Sequence, residues 1–266
     1  MTIVPKSDIE ILSQHIDDES AFYRLRAGQR VHYLKIFSGV FDDDTMCRPY
    51  LLIPMLPNLP DLPWTTMIIS RDEDGYLTST ISTDPLPGIR ATWHERRVDV
   101  LSLERTRRLR SGVHEVQYDG VPAIAKIACF EWDIARIERE TWAYSIIGRH
   151  QQQYPSESPI APNFLAHLTE DDRVVGFLLQ KVDGVSASVD DLANCEALLR
   201  RLHRLGLTHG DVNRHNFLVD RVSGGGVHLV DFEHAEELEE KMARAELLSL
   251  PAELVEETGR GASVVL

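Results

Sequence analysis

The chain has 266 residues, of which 43% are hydrophobic and 26% are charged, as is ordinary for a globular protein. Its 42 acidic residues outnumber its 28 basic ones, so the net charge is −14, and such a surface repels nucleic acid and anionic membranes. The start of the sequence has no signal-peptide pattern, and no apolar run approaches the ~20 residues of a membrane span. The three cysteines lack metal-ligand spacing. We therefore expect reduced thiols, a location in the cytoplasm or else the nucleus, and no nucleic-acid partner.

The first 95 residues contain candidate secondary structure but no motif of a known family. In residues 7–26 apolar residues recur at helical spacing, which predicts an amphipathic helix; they are Ile9, Leu12, Ile16 and Phe22. Residues 64–70 and 76–82 each predict a strand, and the Asp-Glu-Asp-Gly sequence between them predicts a turn. We interpret residues 1–95 as an N-terminal accessory region of mixed structure.

A run of prolines and leucines occupies residues 54–63. Prolines recur at every third position of the run, and so do the leucines, at Leu56, Leu59 and Leu62. Because three residues make one turn of polyproline II, the leucines would form a stripe along one edge. This Pro/Leu stripe is typical of a ligand for the aromatic groove of a protein partner, or of a stiff connector lying on the chain's own surface. We prefer the connector.

The segment from Arg90 to Arg110 contains seven arginines and three acidic residues. In so acidic a chain, this patch could receive an anionic substrate or the phosphates of a nucleotide. The default interpretation is a set of solvated strand and helix faces on which the arginines pair with local acids. We therefore leave these arginines out of the candidate site.

Residues 113–129 predict two strands joined by a turn at Asp119-Gly120. Lys126 lies in the second strand between apolar neighbours, where every second side chain should be buried. A buried ammonium group requires an anionic partner. The alternative interpretation is that Lys126 lies on an edge strand and protects that edge against aggregation.

The next predicted helix can provide the anionic partner. Asp133 can cap this helix and Gly148 can end it, and its inner face contains Ile134, Ile137, Thr141 and Tyr144. Glu140 and Glu138 are both candidates for the partner of Lys126. We prefer Glu140, because it directly precedes one inward-facing residue and lies four residues before another.

A further helix is predicted before the strongest motif of the chain. Asp190 or Asp191 can cap it, and Gly206 suits the position just after its end. Its buried face contains Leu192, Cys195, Leu198, Leu199, Leu202 and Leu205. Such a helix gives the loop that follows a rigid support. Acidic, helix-forming residues predict a last helix within residues 235–257.

Two short apolar runs, residues 217–219 and 227–230, predict a hairpin. The loop that joins them contains Gly224, Gly225 and Gly226, which supply the backbone freedom that a chain reversal needs. In the register that we predict, residue 217 faces residue 230, so Asn216 lies directly opposite Asp231. Cross-strand neighbours have Cβ atoms roughly 4.5–5.5 Å apart, and two oxygen donors at that distance suit magnesium.

The hairpin follows a second motif, His209-x-Asp211-x4-Asn216. Together with a strand that ends in Asp-Phe, this motif resembles the catalytic loop and metal-binding strand of the protein-kinase-like superfamily. Gly210 makes it more similar to the small-molecule branch, which includes aminoglycoside phosphotransferases and lipopolysaccharide kinases. The longer string around the motif is similar to uncharacterised fungal kinase-like proteins. The resemblance covers about residues 110–235.

The resemblance implies an α+β, two-lobed protein-kinase-like fold. Residues 96–182 would form a small antiparallel β N-lobe, and residues 183–266 a minimal, mainly helical C-lobe. The accessory region, residues 1–95, would precede both lobes.

The resemblance also implies a nucleotide site for ATP between these lobes. Lys126 would hold the α- and β-phosphates, and Glu140 would orient Lys126, since Glu-x3-Tyr is similar to the family pattern. Backbone groups of Gln180 and Val182 would form hydrogen bonds with adenine.

The remaining roles belong to the catalytic loop and its metal. Asn216 and Asp231 would hold Mg²⁺, and Asp211 would accept or orient the hydrogen bond of the acceptor hydroxyl. His209 would support the loop rather than exchange protons.

Three departures from the family pattern affect the functional interpretation. No Gly-x-Gly-x-x-Gly loop precedes Lys126, Glu233 replaces the glycine that follows Asp-Phe in many kinases, and only 35 residues follow Asp231. We predict a phosphotransferase acting on a small-molecule acceptor. The alternative is a catalytically weak or inactive kinase-like module that binds nucleotides or partners. A glycoside hydrolase is discounted, because no motif places two carboxylates across a cleft.

Overall fold

The computed structural model describes residues 2–258 except residues 223 and 225. It is a mixed α+β protein with antiparallel-rich sheets and few helices. The chain divides into two compact units. The first unit contains the chain up to Pro87 together with the short segments Cys129–Glu131 and Glu170–Arg173, and the second contains the rest. No helix within the described residues is long and apolar enough to cross a lipid bilayer.

The first unit is built on a five-stranded sheet whose spatial order follows the sequence. Its strands are β1 (Ile9–Ile16), β2 (Ser20–Ala27), β3 (Arg30–Phe37), β4 (Thr66–Arg71) and β5 (Leu77–Ser82). All neighbours are antiparallel except β3 and β4, which are parallel. Two short helices, α1 (Asp43–Cys47) and α2 (Pro49–Met55), lie between those parallel strands in the sequence. The predicted hairpin of residues 64–82 is confirmed as the β4–β5 pair.

A buried ion pair lies inside this first unit. Arg24 on β2 forms a salt bridge with Glu170, and the two side chains are 1% and 3% exposed. The hydroxyl of Tyr33 and the guanidinium of Arg173 each donate a hydrogen bond of 2.8 Å to the other oxygen of Glu170. Burial opposes ionisation, but Arg24 and Arg173 hold the pKa of Glu170 below its ordinary value.

The amphipathic helix predicted for residues 7–26 is wrong, because this segment forms β1 and β2. The sequence contained a competing period of two, since Ala21, Tyr23, Leu25 and Ala27 are all buried on one face of β2. The helical spacing is coincidental: Ile16 is exposed.

The polyproline II interpretation of the Pro/Leu stripe is also wrong. Pro54 lies inside helix α2 and is therefore helical. Because α2 has only two turns, the N–H group that proline lacks costs the helix little. Leu56 and Leu59 are buried, which agrees with a connector that lies on the chain's own surface, whereas Leu62 is 48% exposed. A protein partner for this segment stays a prediction, without the stripe that suggested it.

The second unit contains a six-stranded sheet in the order β6-β10-β11-β9-β8-β7. Its strands are β6 (Arg97–Asp99), β7 (Glu104–Arg110), β8 (Val113–Tyr118), β9 (Val121–Ile127), β10 (Phe164–Glu170) and β11 (Arg173–Gln180). β6 and β10 are parallel, whereas β7, β8, β9 and β11 form antiparallel pairs. The predicted turn at Asp119-Gly120 is confirmed, with φ angles of 50° and 79°.

Two helices pack in the core of the second unit. α3 (Glu131–Gln153) begins before the predicted cap, Asp133, and continues past Gly148. Gly148 serves packing instead, because a Cβ at this position would lie 2.6 Å from the ring of Trp93. α4 (Leu192–Arg204) begins directly after Asp191, one of the two predicted caps, but the carboxylate of Asp191 accepts hydrogen bonds from Ser188 and not from α4. Gly206 follows the helix with a φ of 83°.

The remaining elements are five short strands and a last helix. They are β12 (Val185–Ser186), β13 (Leu207–Thr208), β14 (Phe217–Asp220), β15 (Gly226–Leu229), β16 (Glu236–Glu237) and α5 (Glu240–Leu254). β12, β14 and β15 form one sheet, and β13 pairs with β16. The helix predicted for residues 235–257 is therefore shorter than expected, since its first residues form β16. Gly225 of the predicted hairpin loop lies outside the described residues.

Candidate active site

A cavity of about 360 Å³ in the second unit brings together six of the eight predicted site residues. It is lined by Lys126, Glu140, Gln180, Val182, Asn216 and Asp231. The two other residues, His209 and Asp211, are not part of the lining. Each of them is hydrogen-bonded to a residue of the lining: His209 to Val230, and Asp211 to Asn216.

Lys126 and Glu140 form a buried ion pair. The Nζ of Lys126 lies 2.6 Å from an oxygen of Glu140, and the two side chains are 7% and 0% exposed. β9 is flanked by β8 and β11, so Lys126 is not an edge-strand lysine. Burial lowers the pKa of Lys126, but Glu140 and Asp231 outweigh it and leave the pKa raised. The second candidate, Glu138, lies 3.7 Å from exposed Arg90 instead.

Asp231 forms ion pairs with two basic side chains. Its Oδ1 accepts a hydrogen bond of 2.6 Å from Lys126, and the Nη2 of Arg110 contacts both carboxylate oxygens, at 2.8 and 2.9 Å. Burial raises the pKa of Asp231, but Lys126 and Arg110 overcome this and hold it far below its ordinary value. The backbone of Asp231 has a φ of 70°, a conformation that costs on the order of 1–3 kcal/mol and is concentrated at functional sites.

The predicted register of the hairpin is wrong by one residue. Phe217 faces Leu229 rather than Val230, and Asp220 faces Gly226. β15 begins at Gly226, whose φ is 89°, so the chain reversal ends one residue earlier than expected. The amide of Val230 consequently donates to the carbonyl of Asn216 at 3.0 Å. Asn216 and Asp231 are therefore not a cross-strand pair, although both line the cavity.

The loop before the hairpin is organised by two asparagines. The side-chain amide of Asn216 donates to the carbonyl and to the carboxylate of Asp211, at 2.8 and 3.1 Å. The amide of Asn213 donates to the same carboxylate oxygen at 3.1 Å. With its nitrogen engaged in this way, Asn216 has its Oδ1 as the donor atom for a metal ion.

His209 ties this loop to the strand that precedes Asp231. Its Nε2–H donates to the carbonyl of Val230 at 3.0 Å, and its Nδ1 accepts from the amide of Asp211 at 3.4 Å. The ring centroid lies 5.0 Å from that of Phe232. Burial lowers the pKa of His209, which favours the neutral ring that this bonding pattern requires. The geometry is that of a support for the loop.

Glu140 contributes to the same arrangement from α3. Its second oxygen accepts a hydrogen bond of 3.3 Å from the amide of Phe232. One buried carboxylate thus contacts both Lys126 and the residue that follows Asp231.

Glu246 is a site residue that the sequence reasoning missed. It is buried on α5, where one oxygen accepts a hydrogen bond of 2.7 Å from the amide of Gly210 and the other lies 2.6 Å from the Nε2 of His203. It therefore fixes the backbone between His209 and Asp211. The available signal was its position on the apolar face of α5, between Ala243 and Leu250.

Arg110 and Arg107 were also left out of the prediction. Both line the cavity, and Arg110 contacts Asp231. The signal is the arginine-rich segment itself, whose default interpretation is a solvated face.

Gln180 and Val182 lie at the end of β11 and line the cavity. The amide of Gln180 donates to the carbonyl of Asn163 at 2.9 Å, and its side-chain oxygen accepts from the amide of Asn163 at 2.8 Å. The N–H of Gln180 is thus already hydrogen-bonded within the protein. Of the two residues predicted to bind adenine through the backbone, Val182 is therefore the better candidate for an N–H donor.

The donor set fits a magnesium ion better than a metal held by the protein alone. Across the described residues, no cluster of three or more His, Cys, Asp or Glu side chains could hold a metal. Magnesium typically has only one or two protein carboxylates and completes its coordination with water and phosphate oxygens. Asp231 and the Oδ1 of Asn216 match this pattern.

Comparison with known families gives one result for this region. A family model described as lipopolysaccharide kinase (Kdo/WaaP) family matches residues 180–254. No curated protein matches the chain. The matched segment runs from Gln180 through the loop and hairpin to Leu254 of α5, and so includes Glu246. The match supports a kinase-like superfamily and suggests phosphotransferase activity; similarity to fungal proteins stays a prediction.

Proposed function

We propose that this chain is an ATP- and magnesium-dependent phosphotransferase that transfers the γ-phosphoryl group to a hydroxyl of a small-molecule acceptor. One observation carries the proposal: Lys126 contacts buried Glu140 and Asp231 at once, at 2.6 Å each, in a cavity that Asn216 also lines. A lysine in this position provides a fixed positive charge for phosphates, and phosphoryl transfer depends mainly on positioning and charge stabilisation.

The proposal includes a two-lobed kinase-like arrangement. Residues 96–182, with the six-stranded sheet and α3, would be the N-lobe, and residues 183–266 would be the short C-lobe. Residues 1–95 would be the accessory region. The family match to residues 180–254 begins at the end of the proposed N-lobe and otherwise lies within the proposed C-lobe, which supports the kinase-like assignment of that part.

The cavity suits a nucleotide in size and in chemistry. Its volume of about 360 Å³ lies in the range of small-molecule sites, which are mostly apolar with a few polar groups. Apolar side chains from four strands of the sheet and from the hairpin can enclose a base: Leu109, Val113, Ile124, Leu179 and Leu218. Lys126 and Asp231 provide the polar end, where phosphates and a metal ion would bind.

In this proposal each polar residue has one task. Asn216 and Asp231 hold the magnesium ion, whose charge neutralises the phosphate oxygens. Lys126 binds the phosphates, and Glu140 keeps its Nζ in place. Asp211 takes the hydrogen bond of the acceptor hydroxyl, and the amides of Asn213 and Asn216 orient its carboxylate.

A second candidate function is a nucleotide-binding module with little or no catalytic activity. The observation that favours it is the engagement of both oxygens of Asp231 by Arg110. A metal ion has to compete with this contact.

Turnover of radiolabelled ATP, with water as the acceptor, distinguishes the two candidates. We expect magnesium-dependent release of phosphate by the wild type, and a fall of about 10²–10⁴-fold in Asp211→Ala, the range typical of a lost general base. Asp190→Ala, at an exposed position, is the matched control and should keep the wild-type rate. Equal rates for the wild type and Asp211→Ala, with nucleotide binding intact in both, would establish the binding module instead.

A further inference from the structure

Arg107 and Arg110 lie on the face of the sheet that lines the cavity. Arg110 is opposite Val113 on β8, which is in turn opposite Lys126 on β9. Side chains that face each other across strands project from the same side of a sheet. The bulge between Arg108 and Arg110 produces this arrangement. Without it, residues 107 and 110 would project from opposite faces, because their spacing is odd.

The contact between Arg110 and Asp231 leaves much of the guanidinium group available. Within the described part of the chain, both of its hydrogen bonds use Nη2, whereas a guanidinium has five N–H donors. The side chain of Arg110 is 35% exposed, compared with 7% for Lys126. Arg110 can therefore change its acceptor by rotation of its own side chain, while Lys126 stays fixed by Glu140.

The charges of the site are balanced in pairs. Lys126 and Arg110 carry two positive charges, and Glu140 and Asp231 carry two negative ones. A divalent ion on Asp231 would take the oxygens that Arg110 now contacts and would repel its guanidinium group. The phosphate chain of the nucleotide would then offer acceptors for its hydrogen bonds, and a forked guanidinium is well suited to phosphate.

The turn beside Arg110 strengthens this argument. β7 ends at Arg110 and β8 begins at Val113, so only Ser111 and Gly112 connect them. Two residues are too few for an extended glycine-rich loop, so the phosphate contacts that such a loop would supply through its backbone amides are open to a side chain.

We propose that Arg110 is a phosphate-binding residue, and that its guanidinium moves from Asp231 to the nucleotide phosphates when magnesium and nucleotide bind. This inference rests on the proposed function. It assigns to one arginine both the neutralisation of the metal-binding carboxylate and the covering of the phosphates.

Calorimetric titration with ATP plus magnesium, and separately with adenosine, tests the inference. We expect Arg110→Ala to bind magnesium-ATP roughly 10- to 100-fold more weakly than the wild type, the loss expected for charge-assisted hydrogen bonds. Its affinity for adenosine should stay within about twofold, because adenosine has no phosphates. Arg110→Lys should lie in between, since an ammonium group lacks the fork.

Arg108→Ala is the matched control, because Arg108 lies on the same strand but is exposed and projects from the other face. It should bind both ligands like the wild type. If Arg110→Ala binds magnesium-ATP as tightly as the wild type, or more tightly, Arg110 only competes with the metal and the inference is wrong while the proposed function stands. If the wild type binds neither ligand, the proposed function fails and the inference fails with it.

Discussion

Gly210 and Gly206 form a natural pair for testing how tightly the candidate catalytic loop is held. Their φ angles are nearly equal, at 80° and 83°, so an alanine would suffer similar backbone strain at either position. Their surroundings differ. A Cβ at position 210 would lie 2.0 Å from the carbonyl oxygen of His234, whereas a Cβ at position 206 would meet nothing within 4 Å.

The structure gives the expected loss of unfolding free energy for each variant. Left-handed backbone costs an alanine about 1–2 kcal/mol, and the reduced entropy of the unfolded chain returns about 0.4–1 kcal/mol. We therefore expect Gly206→Ala to lose about 1 kcal/mol. Gly210→Ala adds overpacking against backbone, about 1–3 kcal/mol, and weakens the bond from its amide to Glu246, worth about 1.5–3 kcal/mol because the acceptor is charged. Its total loss should be about 3–5 kcal/mol.

Urea denaturation followed by tryptophan fluorescence measures the difference. Trp64 is the one tryptophan of the first unit, and Trp93, Trp132 and Trp142 belong to the second. A Trp64→Phe background common to all variants therefore restricts the signal to the unit that contains both glycines.

Equal losses in the two variants would refute the reasoning, because the close approach of His234 would then have no energetic consequence. A second readout is ATP turnover. Gly206→Ala should retain it, whereas Gly210→Ala should lose it, since displacement of residue 210 moves both His209 and Asp211.

Three further predictions concern charges in the second unit. Asp231→Asn should remove the magnesium dependence of ATP binding, as measured by calorimetry with and without the ion. Lys126→Met leaves Glu140 buried without its counter-charge, and should lose about 3–5 kcal/mol of unfolding free energy in urea titrations; Lys126→Met/Glu140→Leu should recover much of it. Burial, with His94 and Arg97 nearby, lowers the pKa of His167 to about 4. The unfolded chain binds a proton at this histidine below about pH 6.5, whereas the folded chain does so only near pH 4. The free energy of unfolding should therefore decrease as the pH is lowered from about 6.5 to 4, by up to about 1.4 kcal/mol per pH unit. His167→Gln should show a flatter dependence.

Each of these has its own contrary result. Unchanged magnesium dependence in Asp231→Asn would remove Asp231 from the metal site. A double variant no more stable than Lys126→Met would show that Glu140 is not the source of the loss. If the free energy of unfolding depends on pH in the same way for the wild type and His167→Gln, His167 has the same pKa in the folded and the unfolded chain.

The parts of the site that follow from local rules could be predicted from the sequence. The Asp-Gly turn fixed the β8–β9 hairpin, and its second strand placed Lys126 among apolar neighbours. Helical spacing then separated Glu140 from Glu138, because only one of them shares the inward side of α3. The Leu-rich helix α4 and its glycine end were equally local signals.

The remaining parts depend on information that a sequence pattern does not contain. Residues 7–26 satisfy both a helical and an alternating pattern, and pairing with β3 decides between them. The β14–β15 ladder begins at Gly226 and not at residue 227, and this register separates Asn216 from Asp231. One bulge in β7 puts Arg107 and Arg110 on the same face of the sheet. Glu246 reaches Gly210 across 36 positions of the chain, and only the packing of α5 reveals this contact.

The buried pair of Arg24 and Glu170 has a consequence for how this polypeptide can be dissected. Arg24 lies on β2, whereas Glu170 lies in the short segment Glu170–Arg173, which belongs to the first unit although it is distant in the sequence. A fragment that stops at Pro87 would therefore keep a buried guanidinium and lose its counter-ion, a defect that costs several kcal/mol. Failure of such a truncation to fold would reflect this missing electrostatic partner. An N-terminal fragment has to carry the 170–173 turn, grafted or supplied as a separate peptide, before its behaviour can be attributed to the region itself.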